Sequence, residues 1–234
     1  MTADVRQLLV DSCRILAHAE QEHFAFGHVS AREAPGVDRF WFKGGGLGLG
    51  EMTVDDLVLI DFDGNRLGGT APIHNEYPIH AEIFRARPEV TCVVHTHPFY
   101  SAAFAATDWE LKQVGQDAVN FWRGVGRYDT SVLVTDAEKG RALAAALGDL
   151  DIAVLANHGI AAAGRTVIDA TYFAIEFDRA VRMQALAEQL GPLRITPQAE
   201  LDQLIPYLST AAKTRAQGVW EWLLRQTDKA DGRG

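Results

Sequence analysis

The stretch Val90-Thr91-Cys92-Val93-Val94-His95-Thr96-His97-Pro98 decides how this chain reads. Its β-branched run predicts a strand, and because strand side chains alternate with a period of two, His95 and His97 project from one face. Two neutral imidazoles side by side can clamp a metal ion. Alone, a His-x-His is equally an ordinary polar strand end, so its meaning depends on what converges on it.

Working outward, residues 74–88 predict a helix whose first turn carries Asn75, Glu76 and Pro78 and which stops before Pro88. Beyond Pro98 a short helix follows, and residues 107–131 show no clear period, a place for a substrate-shaping loop. Further on, Ser131-Val132-Leu133-Val134-Thr135 predicts a strand, and Thr135 to Glu138 has the form of a capping box that opens a helix through Leu147. The buried run 152–156 leads into Asn157-His158-Gly159, which puts His158 at a strand end or in a tight turn.

The flanks supply the rest. An amphipathic helix is expected over 3–22, strands over 24–32 and 39–43 as an antiparallel hairpin, and a strand over 57–62 turning at Asp63-Gly64. The Gly-rich stretch 44–50 lacks the Gly-Lys-Ser/Thr ending of a phosphate loop and the dinucleotide spacing, so it is expected to be a mobile loop that lets backbone approach a small ligand. From Thr166 as N-cap a helix extends to about Leu190, and a helical extension from about residue 197 ends near Gln226, interrupted at Pro206. We read residues 1–234 as a single domain.

Composition excludes several classes. Of 234 residues, 47% are hydrophobic and 23% charged, as expected of a globular protein. A net charge of −9 argues against nucleic acid or an anionic membrane surface as partner. Cys13 and Cys92 are the two cysteines and predict buried thiols in a reducing compartment. Neither a signal-peptide pattern nor a membrane-length apolar run is visible, so a cytoplasmic location is expected.

His95, His97 and His158 suit the three-ligand arrangement of a catalytic metal site, in which a position stays open. Neutral imidazoles accept zinc, manganese, iron or cobalt alike, so one divalent ion of unspecified identity is expected. Glu76 reads as a fourth ligand or a general acid/base, or as a helix N-terminal carboxylate favoured by the macrodipole.

The pieces His74-Asn75-Glu76, Arg87-Pro88-Glu89-Val90, Val93-Val94-His95-Thr96-His97-Pro98 and Asn157-His158-Gly159 together resemble the class II aldolase/adducin family in order and spacing, over about residues 5 to 210. The resemblance implies a three-layer α/β/α sandwich around a largely antiparallel sheet. It also implies a divalent metal held by His95, His97 and His158, with Glu76 as acid/base. It further implies a homotetramer with active sites at subunit boundaries and a carbon–carbon lyase working through an enolate-like intermediate.

Departures from the sugar-phosphate members narrow the substrate. Where those aldolases grip phosphate, this chain has Gly27-His28, Lys43-Gly44 and His74-Asn75. His28, Lys43, Gly44, His74 and Asn75 are therefore expected to bind a carboxylate or phenolic oxygen instead. The chain is more similar to the branch that decarboxylates hydroxylated aromatic or pyridine dicarboxylates, through Gly-His-Val-Ser-Ala-Arg, His-Asn-Glu-Tyr-Pro-Ile-His and Arg215. Arg215 is expected as a catalytic residue, foremost a carboxylate clamp, and Tyr207 as part of a neighbour's wall. An aldolase or epimerase on an unphosphorylated hydroxyketone or sugar acid is the alternative, and a non-catalytic adducin-like scaffold the alternative of another class.

Overall fold

The computed structural model describes residues 4–232, with the backbone alone at 209–213. Eight strands form one sheet in the order β4-β3-β2-β1-β5-β8-β7-β6. They are β1 (His28–Arg32), β2 (Arg39–Lys43), β3 (Leu57–Asp61), β4 (Arg66–Gly68), β5 (Cys92–Thr96), β6 (Gly126–Tyr128), β7 (Ile152–Leu155) and β8 (Gly159–Gly164). Every pairing is antiparallel except β6 with β7.

Alternation along these strands divides the interior into two cores, which makes the three layers. On one face Val29, Ala31, Cys92, Val94, Ile160 and Ala162 pack against α1 (Val5–His18), α3 (Phe99–Ala105), α5 (Val167–Leu190) and the second half of α6 (Gln198–Ala230). On the other, Phe40, Phe42, Val93, Ala161 and Ala163 pack against α2 (Tyr77–Ala86) and α4 (Ala137–Leu147). Side chains such as Leu9, Phe42, Phe84 and Phe177 are fully buried, each worth roughly 1.5–3 kcal/mol in transfer from water. The three-layer sandwich with a mostly antiparallel sheet stands as the family resemblance implies.

Several boundaries differ from the sequence reading. The strand expected over 24–32 begins only at His28, because Phe24 adopts a left-handed φ of 51° and residues 23–26 close a turn. The helix expected over 74–88 starts at Tyr77, leaving His74 and Asn75 in the preceding turn and Glu76 at the N-cap.

Residues 131–135 are not a strand. The sheet edge is taken by Gly126–Tyr128, while the Val134 amide is drawn to the Glu76 carboxylate and that of Thr135 to the Leu133 carbonyl. The cap of α4 is Asp136 rather than Thr135, its carboxylate accepting from the Lys139 amide. Finally, α6 runs through Pro206 and on to Ala230. One missing amide does not end a helix fastened on both sides, by Leu201 and Leu208 against Val119 and by Trp220 and Leu223 against the first core.

The Gly-rich loop is fastened as well. Gly45 donates to the Pro72 carbonyl, Gly48 to Glu51 and Gly50 to Glu22. These three amides are thus committed to the protein rather than presented to a ligand. Among the described residues, no helix is long and apolar enough to cross a membrane.

Candidate metal centre and its surroundings

Strand β5 lies between β1 and β8, so its side chains are flanked on both sides. Antiparallel register sets His95 opposite His28 of β1 and opposite Ala161 of β8. His97 follows just beyond the strand, at the same phase, and its Nε2 lies 2.9 Å from Nε2 of His95. His158 enters from the turn between β7 and β8, where Asn157 takes a left-handed φ of 54° and the His158 amide donates to the Leu155 carbonyl. Its ring centroid is 4.8 Å from those of both His95 and His97.

Gly159 makes this approach possible. A Cβ there would clash with the Thr96 carbonyl oxygen and lie 2.5 Å from Cδ2 of His97.

One ligand atom each from His95, His97 and His158 lies within 4.8 Å of the others, and a second group of His28, Glu76 and His95 meets the same limit. These donors fit a divalent ion. The carbonyl of Ile160 is 2.9 Å from Nδ1 of His95, and since a carbonyl only accepts, Nδ1 carries the proton and Nε2 is left bare for coordination. Burial drives the His97 pKa down to about 3 and that of His95 well below its ordinary value, with neighbouring imidazoles adding to the effect. Burial lowers that of His158 too. Neutral rings are what a cation requires.

Glu76 is 8% exposed and makes no capping hydrogen bond to α2. Its Oε1 accepts from the Val134 amide at 3.3 Å, and its Oε2 stands 3.9 Å from Nε2 of His158. Desolvation raises its pKa, the Val134 hydrogen bond opposing. It is therefore turned toward the histidines rather than serving the helix end.

The remaining expected residues divide. His28 is fully buried, with its ring 4.8 Å from His95 and 4.5 Å from the half-buried His74. Asn75 is exposed and, with His74, Gly64 and Tyr77, lines a side cavity of about 310 Å³. Lys43 is buried on the α1 side, donating to the carbonyls of Ala25 and Gly44 at 3.3 Å, and burial lowers its pKa. Gly44 is pressed against the Asp56 carbonyl and Ala71.

Two expected residues are not brought to the cluster by this chain. Tyr207 is 70% exposed, and Arg215 lines a separate cavity of about 710 Å³ with Asp117, Tyr172 and Glu176. The cavity at the histidines, about 530 Å³, is instead walled by His23, Phe26, Phe99 and Asn157. Phe99 and Phe26 are 81% and 52% exposed, an aromatic rim fit for a flat ring.

His80 and Ser30, which are not among the expected site residues, also lie beside His28. His80 is fully buried on α2, one turn after Glu76, and Ser30 shares the His28 face of β1. The i, i+4 spacing of Glu76 and His80 and the i, i+2 spacing of His28 and Ser30 were the available clues.

Against this geometry the comparisons with known proteins can be set. Residues 7–185 match the family described as Class II Aldolase and Adducin N-terminal domain. The chain is 33% identical over 165 residues to the meiotically up-regulated gene 14 protein of Schizosaccharomyces pombe, covering 69% of this chain and 64% of that protein. It is 32% identical over 191 residues to a 3,4-dihydroxyphthalate decarboxylase of Terrabacter sp. (strain DBF63), covering 76% of this chain and 79% of that one. Among solved structures, L-fuculose 1-phosphate aldolase from Glaciozyma antarctica PI12 superposes with a TM-score of 0.85 at 25% identity, covering 97% of this chain and 90% of the other. With the family match spanning well over half of the sequence and the fold shared almost end to end, this chain belongs to the class II aldolase and adducin N-terminal domain family.

Proposed function

We propose that this protein is a divalent-metal-dependent carbon–carbon lyase that decarboxylates a hydroxylated aromatic or pyridine carboxylate, with dihydroxyphthalate as the type of substrate. The observation that carries the reading is Glu76: a buried carboxyl with a raised pKa, free of capping duty, 3.9 Å from the ring of His158. His95, His97 and His158 would hold the ion, which when bound supplies Lewis acidity that stabilises negative charge developing on an enolate-like fragment.

The chain's own part is proton handling and orientation. As the bond to the carboxyl carbon breaks, its electron pair stays on the ring carbon. Glu76, kept protonated more readily by burial, delivers its proton to that carbon. The aromatic rim of Phe26 and Phe99 favours a planar ring, and in an oligomer Arg215 and Tyr207 of α6 would complete a neighbouring site as a carboxylate clamp and wall.

The relative that decarboxylates 3,4-dihydroxyphthalate supports carboxyl loss. Likeness to a fuculose phosphate aldolase keeps aldol cleavage as the second reading, on an unphosphorylated substrate because the positions that the family resemblance assigns to phosphate read Gly27-His28, Lys43-Gly44 and His74-Asn75 here.

A screen of dihydroxyphthalates, hydroxypyridine dicarboxylates and small aldols with zinc, manganese, iron and cobalt decides between them. Carbon dioxide release is expected, and in Glu76→Gln it should fall by about 10²–10⁴ with metal content unchanged. Aldehyde release in its place would establish the aldolase reading. Failure to take up any divalent ion would leave the scaffold.

A further inference from the structure

His28 is a fully buried imidazole with one ring nitrogen fixed and the other unmet. Its Nδ1 lies 2.6 Å from Nε2 of His80, whose Nδ1 in turn lies 2.6 Å from Oγ of Ser30. These two short contacts hold the ring by its Nδ1 edge, whichever atom of each pair carries the proton. Its Nε2 is buried with no hydrogen-bond partner among the described residues. The ring is packed among those of Phe42, His74, His80 and His95, with centroids 4.5–5.3 Å away. A polar atom left unmet in such a place is costly unless a ligand satisfies it.

The sheet register points to the kind of ligand. Strand pairing sets His28 opposite His95, and one ligand atom each from His28, Glu76 and His95 lies within 4.8 Å of the other two. A cation answers the unmet nitrogen, the carboxylate and the His95 ring together. Because Nδ1 of His95 faces the Ile160 carbonyl at 2.9 Å, Nε2 is the one coordinating nitrogen that His95 can offer, either to this group or to His97 and His158. One lone pair binds one ion. The two groups are therefore alternative seats for a single ion rather than sites for two. Coordination at Nε2 of His28 places its proton on Nδ1, where Nε2 of His80 stands ready to accept a hydrogen bond from it.

We propose that His28 is a fourth imidazole ligand of the centre, which with Glu76 and the shared His95 forms a second seat for the same divalent ion. The first seat offers three nitrogens; the second offers two nitrogens and a carboxylate, a set suited to manganese or iron(II) more than to zinc. This rests on the metal-binding part of the proposed function and is independent of which bond is cleaved.

Equilibrium dialysis with manganese tests it, with folding of each variant checked by circular dichroism. The wild type should hold one ion per chain. His97→Ala/His158→Ala removes two ligands of the first seat and should still bind one manganese per chain. Adding His28→Ala to that variant should weaken binding by at least the roughly tenfold that loss of a ligand's support alone brings. A folded double variant that binds no manganese overturns the proposal, as does one whose affinity His28→Ala leaves unchanged, and as do two ions per wild-type chain. A wild type that takes up no divalent ion overturns the metal-dependent reading itself, and this proposal with it.

Crystals of the manganese-loaded wild type put the same question without any substitution. Anomalous scattering should place manganese within about 2.5 Å of Nε2 of His28 in at least part of the molecules. Manganese confined to His95, His97 and His158, with water or nothing at His28, overturns the proposal while leaving the metal-dependent reading intact.

Discussion

Burial of histidine is the dominant electrostatic fact at the scale of single residues. His80 has no exposure, and desolvation holds its pKa near 3 against 6.5 for a free imidazole. Between those values the unfolded chain binds a proton at this position that the folded protein refuses. Its contribution is fully present above about pH 6.5, and stability is lost as pH falls toward 3. His80→Gln lacks the group. The destabilisation of metal-free His80→Gln relative to the wild type should therefore shrink as pH falls across that window, read by urea unfolding at several pH values. Raised carboxyls such as Glu76 act in the opposite sense but are common to both proteins and cancel in the difference. A deficit that does not change with pH would mean that His80 is not held neutral.

At the scale of elements, the three-histidine cluster depends on how closely β8 approaches the end of β5. Thr96 pairs with Ile160, and Gly159 then passes so near His97 that there is no room for a methyl group. Gly159→Ala must move either the Thr96 carbonyl or the His97 ring. Zinc affinity should drop about 10–100-fold, the usual result of disturbing a ligand's support, as measured by competition with a chromophoric chelator. Unchanged affinity would show that His97 is not needed in its present position. The start of α2 matters for a related reason: with Glu76 at the N-cap but not capping, its carboxyl is available to Val134 and His158.

At the scale of the whole molecule, the two cores lie on opposite faces of the sheet, and α6 is the last element in chain order to pack on the first core. Arg14 of α1, 5% exposed, donates to Asp228 at 2.8 Å and to Asp231 at 2.7 Å, while Trp220 and Leu223 of α6 belong to the first core. Both carboxylates are about one-third exposed, so solvent screening moderates the pairing. Arg14→Ala should cost about 1–3 kcal/mol. Hydrogen exchange should rise over residues 214–231 before it rises in β5 or β8. Equal acceleration throughout would indicate that α6 does not open on its own.

The sequence by itself determined the elements whose patterns are local: α5 from Thr166 to Leu190, the β1–β2 hairpin, and the order of Glu76, His-x-His and His-Gly that singles out the family. Periodicity and capping act over a few residues, so they are visible in a string. Only the tertiary structure decided where those residues meet. The 131–135 run looks like a strand until Glu76 takes the Val134 amide and the sheet edge goes to Gly126–Tyr128. Within one chain, α6 sets Arg215 at the cavity of Tyr172 and Glu176 rather than at that chain's own histidines. His80 looks like an ordinary helix residue until α2 lays it between Ser30 and His28. Each outcome was set by contacts between elements distant in the chain, of which local sequence carries at most the spacing of single residues.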